Sequence, residues 1–330
     1  MLKSLKVANY KNIGDSFIGF DRIEKFNILI GRNNIGKSIL LSILDKLGYI
    51  SNYSLKYTNS DVKLEFTVQV DNIPSSIFAS SSPIAGFNNH KDYGESLKDK
   101  FITYEIDIAD NNHTCRIKFL DEKNCTFEKS AINSDINILL EAFGEYELNS
   151  FIADYKIIKL DADRNLLPET ESTSLKIDTD GTGATNLIRT YLHNSEYDFK
   201  VVEKEILEAL NKIVLPDEHF DRIMCQEIIS DTDTKWEIHL VNENGRIPLS
   251  SSGSGLRTIL LVLIKLFLEA SKSQRNIFIF EELENNIHPT IQRNLFNYLY
   301  DWAIENNDIF FITTHSNIPI NMFGNMPSIS

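Results

Sequence analysis

The sequence predicts an α/β fold: a mainly parallel sheet flanked by helices, with an N-terminal antiparallel β subdomain and an inserted α/β region. Two observations predict this class. Toward the end of the chain, apolar strands without alternation are separated by apolar helices, which is typical of a parallel sheet covered on both faces. Nearer the start, "VKLEFTVQVD" and "FITYEIDIAD" alternate apolar and polar residues, as antiparallel strands with one solvated face do.

The first half of the chain is expected to combine strands with two helical stretches. The first twenty residues predict two strands joined by a turn at residues 12–15, and "FNILI" predicts a third strand. Residues 72–94 are rich in Ser, Asn, Pro and Gly, which indicates an exposed loop. Helical periodicity over residues 134–143 and 184–213 flanks the strand-like "YKIIKL".

The second half indicates how the domain is organised. From Trp236 onward the pattern is strand, turn, apolar helix, apolar strand, helix, apolar strand. We expect a single domain over residues 1–330, in which residues 1–70 and 236–330 form the core. About residues 71–235 are then an inserted β and helical region.

The composition favours a globular cytoplasmic protein. At 330 residues and 42% hydrophobic content, the chain can bury a large core. Residues 1–10 alternate Lys with apolar residues and do not resemble a signal peptide. The longest apolar run, from Thr258, is too short to span a bilayer and contains Lys265, so we expect no membrane partner. The net charge of −14 argues against a surface that is basic all over, although it allows a local basic groove.

A glycine-rich motif follows "FNILI". Gly31, Gly36, Lys37 and Ser38 match the pattern G-x-x-x-x-G-K-[ST], between a predicted strand and a predicted helix. The glycines let backbone N–H groups cradle a phosphate, Lys37 reaches the β and γ oxygens, and Ser38 can bind Mg²⁺. The predicted nucleotide contacts are Gly31, Arg32, Asn33, Asn34, Gly36, Lys37, Ser38 and Ile39.

A second motif, "NIFIFEELENNIHP", is an apolar strand that ends in two carboxylates. Open α/β sheets bind ligands at the carboxyl ends of their strands, where Glu281 and Glu282 are expected. Glu281 can hold Mg²⁺ and Glu282 can act as the general base on the attacking water. The alternative is an acidic helix cap, because carboxylates also favour helix N-termini.

A third motif, "FFITTHSNIPI", ends the next apolar strand in Thr313, Thr314 and His315. We expect His315 at the same edge of the sheet, where it can contact a γ-phosphate or orient the water beside Glu282. A structural hydrogen-bond donor is the alternative for a lone His after a strand.

A fourth motif, "PLSSSGSGLRTILLVLIKLFLEA", opens a long apolar helix with small hydroxyl residues and glycines. Backbone N–H groups and hydroxyls at a helix start make an anion site, here without an obvious phosphate of its own. The simplest explanation is that it binds a nucleotide held by another copy. We call this the signature segment; it comprises Ser252, Gly253, Ser254 and Gly255.

These four motifs, in this order, resemble those of an ABC-type ATPase head. "KVANYKNI", "EELENNIHP" and "TTHSN" resemble the RecF, SMC and OLD branch, and most closely the ATPase part of OLD-family and Gabija-type Toprim nucleases. The resemblance covers roughly residues 1–70 and 236–320. It implies ATP and Mg²⁺ as cofactors, Lys37 and Ser38 as their contacts, and Glu281 as the acid on the Mg²⁺ side.

The resemblance also implies a catalytic set and names two further residues. Glu282 corresponds to the catalytic base, His315 to the switch histidine, and the signature segment to a site acting on the partner's nucleotide. Glu281 stands where Asp is usual, and Leu283 where the OLD branch often has Pro. Arg164, in "DADRN", resembles an arginine that follows a comparable strand in OLD proteins, although a turn arginine needs no such role. Gln69 is a candidate for the glutamine loop, or simply the solvated face of a strand.

The function that the resemblance implies is an ATP-hydrolysing head that dimerises around ATP and gates a nuclease or another effector in anti-phage defence. Its partners would be a second copy or a higher oligomer, DNA or a nucleic-acid complex, and an effector protein. The Toprim-like domain of the family is not expected within this chain, so the effector is a missing domain or a separate chain. The alternatives are a DNA-repair clamp without a nuclease and a slowly hydrolysing scaffold. A GTPase is disfavoured because no Asn-Lys-x-Asp motif follows the glycine-rich loop.

Overall fold

The structure, a computed structural model, describes residues 2–31, 37–50, 62–108, 115–120, 134–229 and 234–323. Its strands are β1 (Leu2–Ala8), β2 (Ile18–Phe20), β3 (Phe26–Ile30), β4 (Val62–Gln69), β5 (Phe101–Ile108), β6 (Cys115–Leu120), β7 (Tyr155–Leu160), β8 (Glu169–Thr170), β9 (Arg222–Ile229), β10 (Thr234–Asn242), β11 (Gly245–Pro248), β12 (Arg275–Glu281) and β13 (Ile309–Thr314). Its α-helices are α1 (Lys37–Ile50), α2 (His90–Glu95), α3 (Ser134–Asp154), α4 (Ala184–His193), α5 (Leu207–Val214), α6 (Ser254–Ile264), α7 (Pro289–Asn306) and α8 (Ile318–Phe323). π-Helical turns at Val201–Ile206 and Lys265–Glu269 adjoin α5 and α6.

The chain forms two compact units. The first comprises residues 1–24 and 33–155, and the second comprises residues 25–32 and 156–329. Together they confirm the predicted class in its coarse form, an α/β fold with mixed sheets and helices. None of the helices in the described part of the chain combines the length and the apolar character needed to cross a bilayer.

The first unit contains an antiparallel sheet of five strands in the order β2-β1-β4-β5-β6. The alternation that predicts these strands is visible in β4, where Leu64, Phe66 and Val68 are buried and the residues between them are half-buried. The β4 strand pairs with β1 on one side and with β5 on the other. One face of this sheet therefore supplies much of the core of the unit.

The exposed loop expected over residues 72–94 is confirmed in large part, since more than half of these residues are exposed and the backbone is irregular up to α2, but a few residues within it are buried. Phe78 and Tyr93 within it are 2% and 0% exposed, and α2 begins at its end. The Phe78 ring packs against Phe143 of α3 with centroids 5.6 Å apart, and Phe87 packs against Tyr93 at the same distance. The aromatic residues scattered among the polar ones hold this exposed segment against the rest of the unit, because each can cover a large apolar area.

The second unit is built on a sheet with the order β3-β13-β12-β7. The β13 strand pairs in parallel with both β3 and β12, as predicted from the unbroken apolar runs. All six residues of β13 are buried, and five of the seven in β12 are. The β7 strand, from the stretch predicted as an insertion, is the neighbour of β12.

Helices and a second sheet complete this unit. The α6 helix is buried over nearly its whole length, and its side chains join the aromatic residues of β12 and β13 in one core. The second sheet is antiparallel, with β10 pairing with β8, β9 and β11. Buried strands and helices of this kind form a rigid support for the polar residues at the strand ends.

We expect Asp308→Ala to lower the free energy of unfolding by about 3 kcal/mol. Asp308, just before β13, is 2% exposed, and its carboxylate accepts hydrogen bonds from the Asn276 N–H at 2.8 Å and from Trp302 Nε1 at 3.1 Å. Alanine leaves these buried donors without an acceptor. Urea denaturation measures the loss, and Asp301→Ala, at an exposed position of α7, is the control. Equal losses in the two variants would contradict the prediction.

Candidate active site

The carboxyl ends of β12 and β13 meet at one edge of the parallel sheet. Glu281 stands opposite Thr313 in the strand register. The backbone N–H of Glu282 then donates to the Thr313 carbonyl at 2.9 Å and to the Thr313 hydroxyl at 3.2 Å. Thr313 is 1% exposed, so the end of β12 is tied to a buried group. The two predicted carboxylates thus lie where an open α/β sheet binds its ligands.

The backbone of Glu282 is in the left-handed region, with φ of +49°. This conformation is uncommon for a residue with a side chain, and such residues cluster at functional sites. The side chain is held on both carboxylate oxygens: Asn285 Nδ2 donates to Oε2 at 3.0 Å, and His315 Nε2 lies 3.2 Å from Oε1. The structure therefore brings the predicted base and the predicted switch histidine into direct contact.

Glu282 and His315 are each open to solvent on one side. Their side chains are 30% and 33% exposed, respectively. A carboxylate that is fixed by two partners and still reached by water can accept a proton from an incoming water molecule. The pair has the geometry of a base with an orienting group.

A buried carboxylate, Glu284, supports His315 from behind. Glu284 is 9% exposed, and its Oε1 accepts a hydrogen bond from the backbone N–H of His315. Its carbonyl accepts from Gln292 Nε2 at 3.2 Å, and the Ser316 hydroxyl donates to Gln292 Oε1 at 2.9 Å. These bonds fix the loops after β12 and β13 to the start of α7. The prediction from sequence did not include Glu284 or Gln292.

Arg164 lies at the same edge, in the turn after β7. Its Nη2 donates to the carbonyl of Glu281, and its Nη1 lies 3.4 Å from the hydroxyl of Thr258. Burial lowers the pKa of Arg164 to about 10, an effect that the charges of Glu284, Glu282, Glu281 and Asp161 oppose. The guanidinium therefore keeps its charge at neutral pH. In the sequence, the position of Arg164 after a strand was the only sign that it belongs to this site.

The signature segment opens α6 as predicted. Gly253 is the cap residue, α6 begins at Ser254, and the Ser252 hydroxyl donates to the Leu249 carbonyl at 2.7 Å. A Cβ added at Gly255 would lie 2.5 Å from the carbonyl oxygen of Asn286, so only glycine allows this approach. The start of α6 therefore contacts the loop that follows Glu282.

Two further features surround the signature segment. Ser250, just before it, donates through its N–H at 3.1 Å and through its hydroxyl to the buried carboxylate of Glu237 on β10. Ser252, Gly253 and Gly255 line one side of a pocket of about 360 Å³ whose other walls are mostly apolar. The prediction from sequence missed Glu237, because an acidic residue in an alternating strand looks like a solvated one.

Four of the eight predicted phosphate contacts lie among the described residues. Gly31 follows β3 in the second unit, and Lys37, Ser38 and Ile39 begin α1 in the first. Ser38 is exposed, whereas Lys37 and Ile39 are half-buried. The remaining predicted contacts, Arg32, Asn33, Asn34 and Gly36, lie outside the described residues. Gln69, the candidate for the glutamine loop, ends β4 in the antiparallel sheet of the first unit.

The predicted Mg²⁺ contacts have the chemistry that this ion prefers. Ser38 offers a hydroxyl and Glu281 a half-buried carboxylate, and both are hard oxygen donors. Among the described residues, no group of three or more His, Cys, Asp or Glu side chains forms a metal cage.

Known proteins resemble this chain along nearly its whole length. A family model described as AAA ATPase domain matches residues 1–320. A Helicobacter pylori protein named ATP/GTP phosphatase is 25% identical over 341 residues, which cover 96% of this chain and 85% of that protein. The SMC head domain from Thermotoga maritima covers 97% of this chain and 91% of its own at 10% identity, with a TM-score of 0.45. An SmcHead bound to the C-winged helix domain of ScpA has the same coverage and identity and a TM-score of 0.46. These two structural overlaps are too loose to add to the fold described above.

Proposed function

The chain belongs to the family of AAA ATPase domains, and from that premise we propose that it binds ATP with Mg²⁺ and hydrolyses it with Glu282 as the general base. The observation that carries the proposal is the contact between Glu282 and His315, 3.2 Å apart at the carboxyl edge of the parallel sheet. Lys37 is assigned to the phosphates, and Ser38 and Glu281 to Mg²⁺, which neutralises charge on the phosphates when bound.

The proposed step is an in-line displacement at the γ-phosphorus. The water oxygen forms a bond to phosphorus, the bond from phosphorus to the ADP oxygen breaks, and the proton of the water passes to Glu282. His315 orients the carboxylate through Oε1, while Asn285 holds Oε2. The strained backbone at Glu282 is consistent with a residue whose position serves the reaction.

Release of inorganic phosphate tests this proposal. Purified protein with Mg²⁺ is expected to release phosphate from ATP, and a chelator is expected to stop the release. GTP is the comparison nucleotide, because the related Helicobacter pylori protein is named ATP/GTP phosphatase. No release from either nucleotide above the level of the Lys37→Ala variant would refute the proposal.

We also propose that ATP joins two copies of the chain through the signature segment. Helix-opening N–H groups gain little when they face water, but they become charge-assisted donors against a γ-phosphate held by a second copy. Two such contacts related by a two-fold axis give a dimer with two nucleotides between the copies. ATP is then expected to tighten the dimer and ADP to loosen it.

Ser252→Glu is expected to block this association and hydrolysis while leaving the binding of the first nucleotide nearly unchanged. A carboxylate at that position repels the partner's γ-phosphate. Sedimentation with ATP, with ADP and without nucleotide measures the association, and Ser273→Glu, at an exposed loop position, is the control. A wild-type protein that stays monomeric in all three conditions and still hydrolyses ATP would refute the dimer mechanism.

The proposed role of this dimer is to gate a nuclease or another effector in defence against phage. Its support is the resemblance of "EELENNIHP" and "TTHSN" to the OLD and Gabija ATPases. A DNA-repair clamp and a slowly hydrolysing scaffold are the alternatives. Incubation of linear and circular DNA with the ATP-bound protein and its co-purifying partners distinguishes the three functions. Cleavage supports the gate, and salt-resistant retention of circular DNA but not of linear DNA supports the clamp. If the DNA is neither cleaved nor retained, the scaffold is supported.

A further inference from the structure

Arg164 holds the peptide bond that leads into Glu282. The carbonyl of Glu281 and the N–H of Glu282 belong to one peptide unit. Arg164 Nη2 donates to that carbonyl, and the Thr313 carbonyl accepts from that N–H at 2.9 Å. A peptide bond is planar, so fixing both of its polar groups fixes its orientation. The left-handed backbone of Glu282 begins at this clamped plane.

The same guanidinium reaches the signature helix. Arg164 Nη1 lies 3.4 Å from the hydroxyl of Thr258, which is 4% exposed on α6. Thr258 is four residues after Ser254, so the two lie on the same face of the helix, one turn apart. One side chain thus connects the helix that starts with the signature segment to the backbone of the proposed base.

Buried charge explains why an arginine occupies this position. Within the described part of the chain, the buried Oε2 of Glu284 accepts no hydrogen bond. The buried Nε of Arg164 donates no hydrogen bond within that part either. The positive charge of Arg164 interacts favourably with the buried carboxylate of Glu284, which supports His315. Lysine cannot replace it fully, because a single ammonium on a flexible stem lacks the planar fork that reaches two acceptors at fixed positions.

We propose that Arg164 is a positioning residue that couples the signature helix α6 to the catalytic carboxylate Glu282 through Thr258 and the Glu281 carbonyl. The inference rests on the proposed function, since it assigns a role in ATP hydrolysis. Arg164 does not touch the nucleotide in this role. Its loss therefore acts on the rate of the chemical step and leaves nucleotide affinity unchanged.

Three single variants and one double variant test the coupling. Arg164→Met removes both donors and is expected to lower kcat about a hundredfold, the loss that a small misplacement of a catalytic group causes. Thr258→Val removes only the link to α6 and is expected to lower kcat by a smaller factor. In the double variant the two losses are expected not to multiply, because residues that act as one unit are not additive. Arg164→Lys is expected to recover part of the rate.

The readouts separate positioning from a general loss of structure. The KM for ATP and the ATP-dependent association are expected to stay within about twofold of wild type, since groups that act only in the transition state change kcat. Arg189→Met is the matched control: Arg189, in the same unit, also donates to a carboxylate, Glu171, and to a carbonyl, that of Ser172. Its loss is expected to lower thermal stability without changing kcat. If Arg164→Met does not fold, Thr258→Val and Arg164→Lys decide the question by the same measurements.

The outcomes distinguish the inference from the proposed function. Wild-type protein that releases no phosphate from ATP would overturn the proposed function and the inference together. Wild-type hydrolysis with an unchanged kcat in Arg164→Met would overturn the inference alone. So would strictly multiplicative losses in the double variant, because they would show that Arg164 and Thr258 act independently.

Discussion

Replacing Glu282 with glutamine is expected to leave ATP bound and to slow its hydrolysis by about a hundredfold or more, the range for losing a general base. The amide has nearly the same shape as the carboxylate and can still contact His315 and Asn285, which lie 3.2 and 3.0 Å from the two oxygens. It cannot take the proton from the attacking water. Phosphate release and equilibrium binding of ATP measure the two properties separately.

A matched control for this variant is Glu243→Gln, which removes a carboxylate from an exposed turn of the same unit. Its kcat is expected to equal that of wild type. Hydrolysis by Glu282→Gln at close to the wild-type rate would contradict the assignment, and His315 would then be the next candidate for the base. Loss of ATP binding in Glu282→Gln would instead indicate that the carboxylate holds the nucleotide.

Lys37→Ala is expected to abolish nucleotide binding. In the proposed site the ammonium group faces the β and γ oxygens, and neither water nor a methyl group can replace a fixed positive charge there. Lys37 is half-buried at the first position of α1. Titration calorimetry with ATP and Mg²⁺ measures the affinity. Thermal unfolding gives a second reading, because a ligand that binds only the folded state raises its stability.

Lys91→Ala is the control for this change, since Lys91 is exposed on α2 in the same unit. It is expected to bind ATP like the wild type and to show the same rise in melting temperature. An ATP affinity of Lys37→Ala equal to that of wild type would refute the phosphate-loop assignment. The remaining motifs would then have to be explained without a nucleotide on this loop.

The parts of the fold that the sequence predicts are those set by local pattern. The unbroken apolar runs of β12 and β13 predict parallel strands, and the structure pairs them in parallel with buried side chains throughout β13. Residues 72–94 form the largely exposed loop that their composition predicts, but composition does not show that Phe78 and Tyr93 within it are buried. Phe143, which packs against Phe78, lies far along the chain, so no local pattern reveals this contact.

The candidate site likewise contains residues that a local pattern identifies and contacts that only the fold reveals. Glu282 and His315 can be identified from sequence because each follows an apolar strand and carries reactive chemistry. Their contact depends on the strand order, in which β13 lies beside β12. Placing Arg164 at this site requires knowing in addition that β7 is the other neighbour of β12, because Arg164 follows β7 and contacts the end of β12. Glu284 and Glu237 differ from solvated acids only by burial, which sequence does not reveal.

The close approach of Gly255 to the Asn286 carbonyl limits how this protein can evolve. Any side chain at position 255 would meet a backbone oxygen, and a backbone oxygen cannot move aside as a flexible side chain can. A related chain with alanine at that position therefore needs a different path for the loop around Asn286, and that loop begins at Glu282. The helix start and the loop are consequently expected to change together among related sequences, as one inherited block. Exchanging either segment alone between relatives would produce a chain that folds poorly at this point.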